Sequence, residues 1–113
     1  MEVRAVAKDV GVSARKMRLV CNLVNGKRVD EALALLKFTP TPRAEIVAKA
    51  IKSAAANAEN NFQLMPVDLR VVKVVADTAR MAKRFRARSR GQASPIHKHA
   101  SHITVIVSDQ QEA

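Results

Sequence analysis

The stretch Thr78-Ala79-Arg80-Met81-Ala82-Lys83-Arg84-Phe85-Arg86-Ala87-Arg88-Ser89-Arg90-Gly91-Gln92, continuing through residues 93–100 into Ser101-His102-Ile103-Thr104-Val105-Ile106-Val107-Ser108, decides how this chain folds. Between Thr78 and Ser108 it carries seven basic residues, Arg80, Lys83, Arg84, Arg86, Arg88, Arg90 and Lys98, and no acidic one. Arg80, Arg84, Arg86, Arg88 and Arg90 fall on even positions, which in an extended strand puts them on one face. Gly91 supplies a turn, and the chain returns through Gln92 to Ala100 toward an apolar, β-branched segment. The pattern predicts a long antiparallel hairpin, apolar at its base and basic at its far end. About ten residues of strand extend about 33 Å, whereas a compact domain of about 100 residues has a radius of gyration near 13 Å. The tip therefore projects beyond the body. A two-stranded ribbon covered in arginine has little apolar area to stabilise it in water, so an external polyanion is expected to order it.

The strands at the base of the hairpin point to the body. Leu69-Arg70-Val71-Val72-Lys73-Val74-Val75-Ala76 and Ile103-Thr104-Val105-Ile106-Val107 are rich in β-branched residues. Glu2-Val3-Arg4-Ala5-Val6-Ala7-Lys8 alternates polar and apolar side chains and ends at a turn, Asp9-Val10-Gly11. With Ser13 as N-cap, a first helix from Ala14 to Asn25 lines Met17, Val20, Cys21 and Val24 along one side, and Gly26 closes it. A short second helix begins near Asp30 with Ala32, Leu35 and Leu36 inward. Thr39-Pro40-Thr41-Pro42 ends it and starts a third, with Thr41 as cap and Pro42 at the first helical position, running to about Asn60. Its inward side reads Val47, Ala48, Ile51, Ala54, Ala55 and Ala58, and Met65-Pro66 marks the next break. The expected fold is α+β: three helices packed on a small antiparallel three-stranded sheet from which the basic hairpin projects. One domain over residues 1–113 is expected, with the body at about 1–78 and 102–110, the hairpin at about 79–101 and a short flexible tail at 110–113.

Composition narrows the function. Of the 113 residues, 20 are Lys or Arg and 10 Asp or Glu, for a net charge of +10. The 82 residues outside 78–108 hold 13 basic and 10 acidic side chains, so most of the excess lies in the hairpin. Such a balance favours a polyanionic partner, and nucleic acid leads. The three aromatics, Phe38, Phe62 and Phe85, argue against a binder built on rows of stacking rings. No apolar run approaches the roughly 20 residues of a membrane span, and no signal-like stretch follows Met1, so a soluble, intracellular protein without membrane insertion is expected. The single cysteine, Cys21, forms no intrachain disulfide and cannot support a multi-thiolate zinc site.

Candidate sites divide by how much their pattern demands. A surface normally intersperses both charge signs, so the one-signed hairpin is assigned to phosphate binding, which suits the rigid guanidinium fork. Arg15, Lys16 and Arg18, opposite the apolar side of the first helix, form a second RNA-facing surface or an ordinary solvated helix face. Lys27 and Arg28 extend it, although cations past a helix C-terminus are favourable without any partner. His97 and His99 share a strand face but His102 has opposite parity, and no carboxylate or thiolate completes a metal or acid-base site there. Cys21 reads as a buried small hydrophobe. Gly26-Lys27 lacks the residues of a phosphate-cradling loop. No catalytic residue, metal or cofactor is expected. Two rival readings remain: a DNA-bending β-ribbon protein, which an apolar wedge at the tip would favour, and a histidine-dependent ribonuclease.

Lys83, Arg88-Ser89-Arg90-Gly91-Gln92 and His102-Ile103-Thr104-Val105-Ile106-Val107, together with Ser13-Ala14-Arg15-Lys16-Met17-Arg18-Leu19-Val20 and Ser53-Ala54-Ala55-Ala56-Asn57-Ala58-Glu59-Asn60, resemble the ribosomal protein L-twenty-two family of the large subunit, in order and over essentially the whole chain. The resemblance implies a body seated around the peptide exit, a hairpin threaded into large-subunit ribosomal RNA, and neighbouring ribosomal proteins as partners. It implies that Arg88, Ser89, Arg90, Gly91 and Gln92 form a tip lining the exit tunnel near the nascent peptide, with Lys83, Arg84 and Arg86 as shaft contacts. It places the protein on a cytoplasmic ribosome and leaves an organellar one open. Two departures stand out. Asp77-Thr78-Ala79-Arg80 replaces an acidic-Gly-Pro stretch at the hairpin base, and His97 and His99 occupy positions where relatives often carry Lys or Arg.

Overall fold

The computed structural model describes residues 2–65 and 68–109; the predicted break at Met65-Pro66 reaches beyond these, and the tail 110–113 lies outside them. Five strands and three helices follow in the order β1 (Glu2–Val10), α1 (Ala14–Val24), α2 (Val29–Phe38), α3 (Arg43–Phe62), β2 (Arg70–Thr78), β3 (Ala82–Ala87), β4 (Ala93–Lys98) and β5 (Ser101–Ser108). Strands β1, β5 and β2 form an antiparallel sheet in that spatial order, and β3 pairs with β4 in a separate ladder.

Alternation explains the body sheet. β5 turns Ile103, Val105 and Val107 inward, and β1 turns Val3 and Ala5 to the same side. β2 begins with Val71 inward, but its register against β5 shifts between Val71 and Lys73. The extra residue moves the inward phase from odd to even positions, so that Val74 and Ala76 are buried in turn. A second irregularity, between Ala7 and Val10, holds Asp9 at φ 57. Asp is among the side chains that tolerate this conformation, and its N–H donates to His102 Nδ1 at 3.1 Å.

The helices cover the sheet, α3 against β1 and β5, α1 against β2, with α2 resting on α3. Met17, Val24, Val47, Ile51, Val71, Ile103 and Val105 lie fully buried between the layers. α1 buries Met17, Val20, Cys21 and Val24 as its periodicity predicts, although the Ser13 side chain makes no capping bond. Gly26, at φ 80, turns the chain so that its N–H reaches Val71 O at 2.9 Å, while Val71 N–H donates to Lys27 O at 2.8 Å. Val74 N–H donates to Asn25 Oδ1 at 2.7 Å, and Arg18 Nε donates to Ala76 O at 3.1 Å. The outer edge of β2 is thus closed by α1 and the loop behind it, which removes a strand edge open to aggregation.

Three details depart from expectation. α2 begins at Val29 and buries Val29, Ala32 and Leu36, whereas Leu35 is 39% exposed and Leu33 packs against the core instead. One position of helical phase decides between these two leucines, and contact with α3 sets it. α3 starts at Arg43 with Pro42 as its cap rather than its first residue, buries Ala44 and Ala50 more fully than Ala48 and Ala55, and continues to Phe62. It ends where Gln63 adopts φ 56 and Leu64 N–H returns to Ala58 O at 3.0 Å. Ser101, first residue of β5, is completely buried, and its Oγ has no hydrogen-bond partner among the described residues.

Candidate nucleic-acid interface

Past Thr78 and before Ser101 the chain of the paired strands β2 and β5 leaves the body. Ala79–Met81 and His99–Ala100 interrupt the ladder, bridged by Ala79 N–H donating to Ala100 O at 3.0 Å. β3 and β4 then pair from Ala82↔Lys98 to Ala87↔Ala93. The predicted ten-residue arms are therefore six-residue strands following a break at the base, where the departure from acidic-Gly-Pro falls. Projection is retained: the molecule measures 63 × 27 × 23 Å, with a radius of gyration of 17.2 Å against about 13 Å for a compact chain of this length. From Arg80 to Ala100 no residue is buried.

The register gives the ribbon two different faces. One carries Arg84 and Arg86 with Ser94, Ile96 and Lys98. The other carries Lys83, Phe85 and Ala87 with Ala93, Pro95 and His97. The expectation that all five even-numbered arginines share a face is corrected, because only Arg84 and Arg86 lie within β3. Arg80 precedes the strand, Arg88 sits at its end, and Arg90 lies in the tip turn at φ 61. Strand parity cannot persist through a turn.

At the tip, Ser89–Gly91 form a single 3-10 turn, with Arg90 and Gly91 both at positive φ. Arg88 N–H donates to Gln92 O and closes the loop. Five exposed residues, Arg88 to Gln92, thus make a compact end, in which Gln92 N–H also donates to Ser89 O at 3.5 Å. Along the shaft, Arg84 Nη1 donates to Lys83 O at 2.9 Å. Phe85 is 76% exposed on the face opposite Arg84, directly across from Pro95. Sequence reasoning discounted aromatic contacts because aromatics are few, yet this one stands on the ribbon itself.

The body contributes a second basic surface. Arg15 and Lys16 are exposed on α1, and Lys27 and Arg28 lie in the loop before α2, with Arg28 at the α2 N-cap position. Arg18 is exposed in part but is also committed to Ala76 O, so it braces the edge of β2 as well as adding charge. The structure joins this surface to the hairpin. An open groove of about 540 Å³ is lined by Ser13, Arg15, Lys16, Arg18, Thr78 and His99. A neighbouring one is lined by Gly11, Ser13, Lys16, Arg43, Lys98 and His99. Arg43 and His99 were not among the expected binding residues. Arg43 is 45 residues before Arg88 in the chain, and only tertiary packing brings it beside the hairpin.

His97 Nδ1 lies 3.2 Å from Met81 Sδ, His102 accepts the Asp9 N–H, and His99 lies at the basal grooves. Among the described residues no three His, Cys, Asp or Glu side chains come together as metal ligands would. Cys21 is buried, and burial pushes its thiol up to about 11, against the opposing pulls of a backbone hydrogen bond and the Arg18 charge. A thiol so placed stays protonated near neutrality and is a poor nucleophile. No helix among the described residues is long and apolar enough to cross a membrane.

What the surface offers is an extended array of cationic donors on a projecting ribbon, continuous with a basic patch on the body. Known proteins share the chain that builds it. The family described as ribosomal protein L22p/L17e matches residues 5–108. A protein of Dehalococcoides mccartyi strain CBDB1 named "Large ribosomal subunit protein uL22" is 58% identical over 109 residues, covering 96% of this chain and 100% of its own. Proteins of the same name from Pediococcus pentosaceus and Clostridioides difficile are 54% and 50% identical, covering 96% and 98% of this chain and 92% and 100% of theirs. This chain belongs to the ribosomal protein L22p/L17e family.

Proposed function

We propose that the chain is a non-enzymatic structural component of the large subunit of a cytoplasmic ribosome, that it binds large-subunit ribosomal RNA and supports subunit assembly, and that its hairpin tip lines the peptide exit tunnel. The carrying observation is the ribbon: six-residue strands without a buried side chain, bearing only positive charge, held away from a well-packed body. Such a segment gains its order from a surrounding polyanion rather than from its own core. The relatives' printed names supply the ribosome, and the charge supplies the contact with RNA.

Within this reading Arg80, Lys83, Arg84, Arg86, Arg88, Arg90 and Lys98 contact phosphates along the hairpin. Arg15, Lys16, Arg18, Lys27 and Arg28 do so from the body. Arginine predominates on the ribbon because its planar fork makes paired hydrogen bonds to phosphate oxygens. Arg88, Ser89, Arg90, Gly91 and Gln92 form the tunnel end, beside the nascent peptide. Phe85 contributes an apolar contact to a splayed nucleobase, a mode common in folded RNA. The chain acts as one domain, its body set against the outside of the subunit and neighbouring ribosomal proteins.

Sedimentation tests the assignment. The tagged chain is expected to travel with large subunits in one-to-one ratio and to remain there after a moderate salt wash. Recovery only at the top of the gradient, or on duplex DNA in preference to ribosomal RNA, would contradict it.

A further inference from the structure

The two grooves at the root of the hairpin share Ser13, Lys16 and His99, and in the second of them Lys16 of α1, Arg43 of α3 and Lys98 of β4 converge from three separate elements. Among the described residues no carboxylate lines either groove. Cations gathered around a cleft with low-dielectric walls repel one another and concentrate a positive field there, so the fold maintains this arrangement at an electrostatic cost that a bound anion relieves. A merely solvated surface would intersperse acidic side chains, as the α2–α3 groove does with Glu45 between Lys37 and Lys52.

The register of the ribbon tells what kind of anion this is. Lys98 shares a ladder face with Arg84 and Arg86, so the cleft is the body end of the ribbon's cationic face rather than an isolated pocket. We propose that the root cleft seats a backbone phosphodiester of the RNA strand that runs along Arg84 and Arg86, so that body and ribbon grip one strand where it passes between them. Arg43, half-buried at the start of α3, offers a planar guanidinium fork, while the exposed Lys16 and Lys98 add charge to the same groove. His99 lines both grooves beside these cations. The proposal rests on the RNA-binding reading above and adds Arg43 and His99 to it.

The test uses the full chain and an in-vitro transcript of bacterial large-subunit ribosomal RNA, with binding constants measured across salt concentrations. Each lost phosphate contact lowers the slope of log affinity against log salt by about 0.7 to 0.9, so Lys16→Gln with Arg43→Gln, which removes two of the three cations around the one seated phosphate, is expected to flatten it by about that amount. Lys37→Gln with Lys52→Gln removes the same charge elsewhere and is expected to leave the slope in place. Lys16→Gln with Lys98→Gln, which changes two exposed side chains, repeats the test without touching the start of α3. If both cleft variants keep the wild-type slope, or match the Lys37/Lys52 control, the cleft is not a phosphate seat. If Arg84→Gln with Arg86→Gln also keeps it, the RNA-binding reading fails as well. Flattening by the ribbon variant alone overturns the cleft proposal only.

Discussion

Among the described residues between Val3 and Ala79, and again from Ser101 to Ser108, the chain is organised around side chains withdrawn from water; between Arg80 and Ala100 not one residue is buried. The body and the ribbon share two continuous backbone segments and the same antiparallel pairing, yet their stability has different origins. Burying one Val, Leu or Ile contributes roughly 1.5–3 kcal/mol, and the body does this many times over. The ribbon has its hydrogen-bond ladder and little else, while its like charges oppose one another. Sequence thus specifies the body completely and the ribbon conditionally, with a partner supplying the missing term.

The sharpest way to separate the two is to damage each alone. Ile51→Ala leaves a cavity under the sheet and is expected to cost about 3–4 kcal/mol, lowering the melting temperature by on the order of 10–20 °C whether or not RNA is present. Arg84→Gln, Arg86→Gln and Arg88→Gln together are expected to leave the melting temperature of the free protein nearly unchanged, within about 0.5 kcal/mol, while flattening the salt slope of ribosomal RNA binding by about 2–3. A large loss of thermal stability in the triple variant would mean that the ribbon packs on the body after all.

The pH dependence of the body offers a third comparison. The Cys21 thiol is raised from 9.0 to about 11 by burial. Above pH 9 the unfolded chain releases this proton and the folded one holds it, so the contribution is intact below pH 9 and is lost as pH rises toward 11. About 2–3 kcal/mol is involved at most. Denaturant titrations at pH 8 and pH 11 are expected to show a steeper decline for the wild type than for Cys21→Ala, whereas RNA-facing variants on the ribbon keep the wild-type decline. Parallel declines in wild type and Cys21→Ala would contradict the assignment. The smallest expected effect lies at the seam. Ser101→Ala removes a buried hydroxyl that has no partner among the described residues and is expected to raise stability by up to about 1 kcal/mol, read as a higher denaturation midpoint at constant slope; a loss of stability would show that the hydroxyl is satisfied in solution.

Much of this architecture was legible beforehand because the relevant signals are local. The helical period of Met17, Val20, Cys21 and Val24, the β-branched runs on either side of the hairpin, and Gly26 as a turn each act over a few residues, and all were read correctly. So was the separation of basic tip from apolar base. What escaped depends on distant parts of the chain. The phase of α2, which turns Leu35 outward, is set by α3. The bulge at Val71–Lys73 is held by Asn25 and Lys27 from the loop after α1. Arg18, on the cationic face of the first helix, also braces β2 through Ala76 O, a contact that only the packed sheet supplies. The cleft with Arg43 and His99 exists only after α1, α3 and β4 come together. Parity carried Arg84 and Arg86 correctly and failed for Arg80, Arg88 and Arg90, where the strand had ended.

Backbone hydrogen exchange tests the dependence of the ribbon on RNA most directly. In the free protein, amides of β3 and β4 are expected to exchange nearly as fast as an open chain, while those of β1, β5 and β2 remain protected; on binding large-subunit ribosomal RNA, the amides of residues 82–98 are expected to slow by at least about tenfold. Protection of β3 and β4 equal to that of the body sheet in the free protein, unchanged when the RNA is added, would contradict the account.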